Sequence, residues 1–327
     1  MFLNYLPKSK NILLIALLAF GAFLQSCSAD SEAEPSKPKP YIYSDDEIYP
    51  VVIGDDYLMG YVNDSRQIVI EAQFTNAGEF HEGLAVASKG AQSGYIDRSG
   101  QWAIEPQYTY ADDFENGMAV AMKLDNPNAS DGVEYWNLID SSGKVKVKTE
   151  YFRIGTFSEG LASVWIEYFE NRGFIDEKGA LIIEGYDDVG SFSEGLAAVR
   201  KGDKWGYIDR TGEVVLPFIY EDTFAFYEDR AVVQIGDKWG FIDRHGKKII
   251  APRYDSVNSF SEGLAPVFVN EKWGYIDKEG QMVIEPAYLE AFPAQHGMMQ
   301  VSREQIAEYS YIDREGNRVE FKPLPET

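Results

Sequence analysis

The sequence predicts an all-β fold of about eight tandem three-stranded β-meander repeats, each roughly 34 residues long, forming a curved solenoid or a propeller-like array. Three observations carry this expectation. The word Lys204-Trp205-Gly206-Tyr207-Ile208-Asp209-Arg210-Thr211-Gly212 recurs from Lys238 to Gly246 and from Lys272 to Gly280. A second word, Phe-Ser-Glu-Gly-Leu-Ala, runs from Phe157 to Ala162, Phe192 to Ala197 and Phe260 to Ala265. Short aliphatic and aromatic stretches alternate with Gly, Asp, Asn and Lys clusters, and no helical apolar spacing persists beyond the N-terminal segment.

In chain order, the N-terminus carries basic Lys8 and Lys10, then an apolar run from Ile12 to Phe23, then Leu24-Gln25-Ser26-Cys27. The run is short for a membrane span and has the layout of a secretory signal. Leu-x-Ser-Cys resembles the lipobox of bacterial lipoproteins. That resemblance implies cleavage after residue 26, with diacylglycerol and an N-acyl group such as palmitate on Cys27. Residues 1–26 are then a lipoprotein signal peptide, and an ordinary signal peptide with an incidental cysteine is the alternative. Several acyl chains on one residue hold a protein stably on a bilayer. The expected location is the outer membrane, on its periplasmic face or at the cell surface, with the membrane engaged through Cys27.

Residues 27–41 are rich in Ser, Pro, Lys and acids and read as the lipidated cysteine with a disordered tether. Acids soon after the cysteine resemble the surface-export signals of Bacteroidetes lipoproteins. Cys27 is the only cysteine, so an internal disulfide is excluded and the repeat region at 42–322 must rely on a packed core. Residues 323–327 form a short tail. The formal charge of −23 disfavours contact with nucleic acid phosphates, and nucleic acid binding is not expected.

Aligned on the Tyr-Ile-Asp core, eight units centre on Tyr61, Tyr95, Leu138, Phe174, Tyr207, Phe241, Tyr275 and Tyr311. The Asp-x-x-Gly step predicts a type I turn with a bulge, because the Asp side chain accepts a nearby N–H and Gly takes positive φ. It recurs seven times, from Asp97-Gly100 to Asp313-Gly316. Unit one has Asn63-Asp64-Ser65-Arg66-Gln67 and no glycine, so its turn is not assigned. Gly83, Gly117, Gly160, Gly195 and Gly263 are expected at a tight corner before the first strand. Phe80, Phe114, Phe157, Phe192, Phe226 and Phe260 are expected to plug the space between units. Pro106, Pro252 and Pro286, each two residues before a Tyr, are expected to end the third strand.

Together these words resemble the bacterial WG-repeat family. The resemblance implies an all-β repeat domain, often exported, with no family-wide reaction. Trp-Gly itself stands only at Trp205, Trp239 and Trp273. Between a closed ring and an open curved array the reading leans to the open array, since the repeats begin and end in phase.

Departures from the repeat are the candidates for function. The polar insertion at 123–132 is a candidate contact loop or weak Ca²⁺ site through Asp125, Asn128 and Asp131, with a tolerated surface insertion as the plainer account. Trp165, Tyr168 and Phe169, with Trp102 and Tyr110, are a candidate aromatic platform for a sugar or a partner protein, against the alternative of local packing. His81, His245 and His296 never pair at ligand spacing, and no metal or cofactor is expected. Catalytic residues are not assigned, and the protein is not expected to be an enzyme. The leading function is a lipid-anchored extracytoplasmic scaffold that offers an acidic surface to a protein partner. A glycan-binding lipoprotein ranks second. A glycoside hydrolase using pairs such as Asp112-Asp113, Asp187-Asp188 or Glu221-Asp222 ranks third.

Overall fold

The Asp-x-x-Gly turns form as their spacing predicts. At Asp209 the side-chain Oδ1 accepts the Thr211 and Glu213 N–H groups at 2.9 and 3.0 Å, while Gly212 N–H donates to the Asp209 carbonyl at 3.0 Å with φ +89°. The computed structural model describes residues 47–53, 57–124, 134–167, 171–303 and 309–323, and the same turn recurs in it at all seven sites. Unit one makes it too. Asn63 Oδ1 accepts the Gln67 N–H at 2.9 Å, and Arg66 takes the glycine's place at φ +61°. An amide side chain offers the acceptor oxygen that the turn needs, so the missing Asp and Gly did not abolish it.

Hydroxyls two residues on, then backbone N–H groups, hold Asp97, Asp140 and Asp209 below the usual carboxylate range, and Asp140 falls to about 2. A carboxylate lowered in the folded state stabilises fully above its unfolded pKa, and that contribution is lost as pH falls through the folded value. The urea midpoint is therefore expected to drop between about pH 4 and pH 2. Asp140→Asn should shallow that drop, and an unchanged profile would count against the assignment.

Among the described residues, units two to eight each contribute four strands, not three. In blade 5 these are Asp188–Ser193, Leu196–Lys201, Lys204–Asp209 and Val214–Tyr220, all antiparallel. The extra strand is the Phe-containing segment, which pairs with its successor through a bulge, as in Val189↔Val199 and Phe192↔Ala197. Its irregular register hid it from a period-two reading of the sequence. Blades 2 to 8 span 76–108, 110–148, 153–186, 188–220, 222–254, 256–288 and 290–319. Among the described residues no helix is present.

The prolines do not end their strands. Met282–Tyr288 runs through Pro286 to pair Tyr288 with Trp273, and the register slips between Trp273 and Tyr275. Proline is tolerated there because the outer strand bulges at that point.

Packing closes the eight sheets into a ring, an eight-bladed propeller. First strands of successive blades touch one another, as Arg153–Ser158 touches Asp188–Ser193 and that strand touches Asp222–Tyr227. They therefore lie innermost, while the fourth strands alternate buried and exposed at the rim. The plugs behave as expected: Phe114 lies on Tyr95 at 4.7 Å, Phe226 on Tyr207 at 4.9 Å and Phe260 on Phe241 at 4.8 Å between ring centroids. The repeated tyrosines add a bond to the next blade, with Tyr95, Tyr207 and Tyr275 donating to the carbonyls of Asp112, Phe224 and Phe292 at 2.7, 2.7 and 2.9 Å.

The open array is thereby corrected. Lys322–Pro323, the last described strand, pairs in parallel with Gln67–Phe74 of blade 1, and Lys322 N–H donates to the Arg66 carbonyl at 3.0 Å. Val52 N–H donates to the Tyr311 hydroxyl at 3.3 Å, and Tyr49, Val51, Val62, Met298 and Val319 share one core.

Candidate functional site

The two-residue turns between first and second strands define one face of the ring. Both residues take positive φ, as at Glu82 (+53°) and Gly83 (+85°). This geometry favours glycine at the second position and tolerates the glutamate at a strain cost. The glutamate has a further task. Gly117, Gly195, Gly263 and Gly297 donate their N–H groups to carboxylates of Glu82, Glu159, Glu228 and Glu262 in the preceding blade, at 2.9, 2.9, 2.9 and 2.8 Å. Asp229 N–H reaches Glu194 at 3.0 Å, and Gly160 N–H reaches Glu115 at 2.9 Å.

Cations from the Asp-x-x-Gly turns bracket this series. Arg244 lies 3.6 Å from Glu194 and Lys278 lies 3.0 Å from Glu228, while Arg314 donates to the Glu262 carbonyl at 2.7 Å. The repeated acid is thus an inter-blade clamp. Its role was missed in the sequence, although the recurring Glu-Gly pair was the available signal.

The series changes character where blade 8 meets blades 1 and 2. His296 (φ +52°) replaces the clamp glutamate, stacks on Tyr49 with ring centroids 4.0 Å apart, and places Nε2 3.0 Å from Glu79 Oε1. Burial pulls its pKa down, yet the hydrogen bond and charge of Glu79, with Glu262 and Glu47, hold it above the ordinary histidine value. Nearby, His81 Nε2 lies 3.4 Å from Asp113 Oδ2, and burial raises the Asp113 pKa against the lowering effect of His81. His296, Glu79, Glu262, Glu47 and His81 border a recess of about 400 Å³, lined also by Phe80, Arg98, Ser261 and Ala294. Among the described residues no cluster of three or more His, Cys, Asp or Glu is placed to hold a metal ion.

The candidate aromatics are distributed over three blades. Trp102 packs edge-on against Phe74 at 5.6 Å, between blades 2 and 1. Tyr110 lies on Trp136 at 5.2 Å and donates to Asp112 Oδ2 at 2.9 Å. Burial first, then Asp112, pushes the Tyr110 pKa up to about 12. In blade 4, Trp165 lies between two guanidiniums, with Arg172 at 4.1 Å and Arg153 at 5.5 Å from its ring centroid. Arg172 occupies the position that Trp holds in other units, so cation–π packing replaces an aromatic contact there. These three rings each pack locally and do not assemble one platform. Tyr168, Phe169, Asp125, Asn128, Asp131 and Cys27 lie outside the described residues, as do the signal peptide and tether.

The carboxylate pairs are likewise engaged. Asp112 also accepts from Thr156, Asp188 pairs with Arg172, and Glu221 meets Lys204 at 2.7 Å.

Comparison with known proteins agrees with this geometry. The model of the WG containing repeat matches residues 59–91, 94–126, 136–164, 173–205, 205–239, 239–273 and 273–303. The chain belongs to the WG-containing repeat family. Each matched WG repeat begins in the third strand of one blade and closes in the next, so the sequence unit straddles two blades. Among solved structures, dihydro-heme d1 dehydrogenase NirN in complex with DHE is similar, with 12% identity, TM-score 0.53, and 88% of this chain and 75% of that chain covered. A eukaryotic initiation factor is similar at 11% identity and TM-score 0.52, covering 86% of this chain and all of the other. Apo AztD from Citrobacter koseri follows at 10% and 0.51, covering 85% and 95%. At these identities the likeness is one of fold alone. No curated protein matches the chain by sequence.

Proposed function

We propose that this WG-repeat propeller is a non-catalytic, lipid-anchored extracytoplasmic scaffold that binds a cationic protein surface through its acidic rim. One observation carries the binding reading. Glu71, Glu105, Glu184 and Glu285 occupy the same outward position in the outer strands of blades 1, 2, 4 and 7, and all four are exposed. The clamp glutamates are spent on the ring itself, whereas these carboxylates stand at the rim of a chain with formal charge −23. Such a surface steers a basic partner and repels polyanions. The anchor rests on Leu24-Gln25-Ser26-Cys27, and the outer-membrane location follows from it.

Affinity capture from detergent-solubilised cells tests the reading. A specific partner is expected, released as salt rises, with recovery cut at least about fivefold when the four rim glutamates become glutamine. Recovery that ignores both salt and the four substitutions would refute the acidic-rim reading.

A further inference from the structure

At the first position of the turn between first and second strands, blade 3 carries Asn116. Blades 2 and 4 to 7 carry Glu82, Glu159, Glu194, Glu228 and Glu262 there. Glu115 takes over the clamp, accepting the Gly160 N–H at 2.9 Å, while Asn116 Nδ2 donates to Glu177 Oε1 of blade 4 at 2.7 Å. Gly117 follows, and Asn116-Gly117 is the sole Asn-Gly pair in the sequence. Of all dipeptides, Asn-Gly loses its side-chain amide most readily, because glycine has no Cβ to keep its nitrogen away from the asparagine Cγ.

The surroundings leave room for that chemistry, and the hydrogen bonds hold it back. Both residues are exposed, and a Cβ built on Gly117 would meet nothing within 4 Å. Against this, Asn116 and Gly117 are fixed at φ +52° and +76°. Glu115 and Met118 close the turn by exchanging N–H bonds at 2.9 and 3.1 Å. The Gly117 N–H is donated to Glu82 Oε2 of blade 2 at 2.9 Å. The nitrogen can attack only after turning toward Cγ and losing that proton. Tethered to a carboxylate of another blade, it is unreactive until the tether opens.

We propose that Asn116-Gly117 is a latent deamidation site, gated by the Glu82 clamp between blades 2 and 3. When the clamp opens, the Gly117 nitrogen attacks Asn116 Cγ and closes a five-membered succinimide. The Gly117 proton passes to water, the Cγ–Nδ2 bond breaks, and Nδ2 leaves as ammonia. Water then adds to one of the two imide carbonyls. Opening at Cγ gives aspartate, and opening at the main-chain carbonyl gives isoaspartate; neither step needs an oxidant or reductant. Aspartate turns the donor facing Glu177 into an acceptor, beside a recess of about 590 Å³ lined by Glu115, Glu159, Asp176 and Glu177 with Lys178 and Arg210. Isoaspartate lengthens the main chain inside a two-residue turn, so the bonds between Glu115 and Met118 cannot re-form as they were. Opening between blades 2 and 3 is thereby recorded as a permanent change facing blade 4. The site is independent of lipid on Cys27 and of the acidic rim.

Peptide mapping by mass spectrometry tests it, on the full-length protein held in detergent at neutral pH in heavy-oxygen water. Label enters position 116 as the amide is lost. Conversion in the folded protein is expected to be at least about tenfold slower than in guanidinium-unfolded chain. Glu82→Ala should speed it about three- to tenfold, the worth of one hydrogen bond to a charged acceptor. Glu228→Ala, which cuts the clamp on Gly263 instead, should leave it within about twofold of the parent. Folded and unfolded chains converting alike, or Glu82→Ala behaving as the parent or as Glu228→Ala, would overturn the gate. Should Glu82→Ala fail to fold, amide hydrogen exchange at Gly117 of the unaltered protein decides. Protection supports the gate, and exchange at the rate of an unstructured peptide overturns it.

Discussion

Gly240→Ala is expected to destabilise the propeller by about 3 kcal/mol or more, visible as a thermal midpoint lowered by roughly 6–12 °C. A Cβ at this position would lie 2.5 Å from the Ile250 carbonyl oxygen and 2.7 Å from the Pro252 nitrogen. Both are backbone atoms of the bulged outer strand, so neither can rotate aside. The same crowding recurs at Gly94, Gly206 and Gly274, against Ile104, Leu216 and Ile284. It explains physically why glycine follows tryptophan in the repeated word. The contrast is Gly190→Ala, where the nearest atom to an added Cβ is 3.6 Å away. That variant should stay within about 1 kcal/mol of the parent. Equal midpoints for the two variants would show that the glycine is not a steric requirement.

Phe226→Ala is expected to cost about 3–5 kcal/mol, because it removes a ring that closes the core between two blades. Phe226 is fully buried, 4.9 Å from the Tyr207 ring, and packed among Leu216, Tyr220 and Val233. Phe224, two residues earlier on the same strand, is 36% exposed and meets Trp239 at 5.4 Å. Phe224→Ala should cost no more than about 1–2 kcal/mol, since much of its surface already faces water. Denaturant unfolding of both variants checks the ranking. A larger loss at Phe224 would mean that the plug role belongs to a different ring.

Much of the repeat was legible because its causes are local. Asp209 and Gly212 meet within four residues, so spacing alone announces their turn. Phe226 was legible as a plug because a large apolar ring recurs beside turn residues and must be buried. The first strand of each blade was not legible. Its bulge breaks the alternation that marks a strand, and its short sequence is shared with the turn that follows. The clamp glutamates were visible as letters but not as contacts, since each acceptor lies in a different blade from its donor. At the candidate site, His296 was passed over because its significance depends on Tyr49 and Glu79, far away in sequence.

The sequence by itself determined the repeat, its turns, its plugs and its strongly acidic charge, because each rests on residue type and short spacing. Closure belonged to the tertiary structure. Eight copies read alike whether each turns slightly more or slightly less about a common axis, and that angle comes from packing of whole blades. Only the contacts between the two ends show the outcome: Tyr311 with Val52, His296 with Tyr49, and Lys322 with Arg66. Those pairs are separated by more than two hundred residues, and no local preference encodes them.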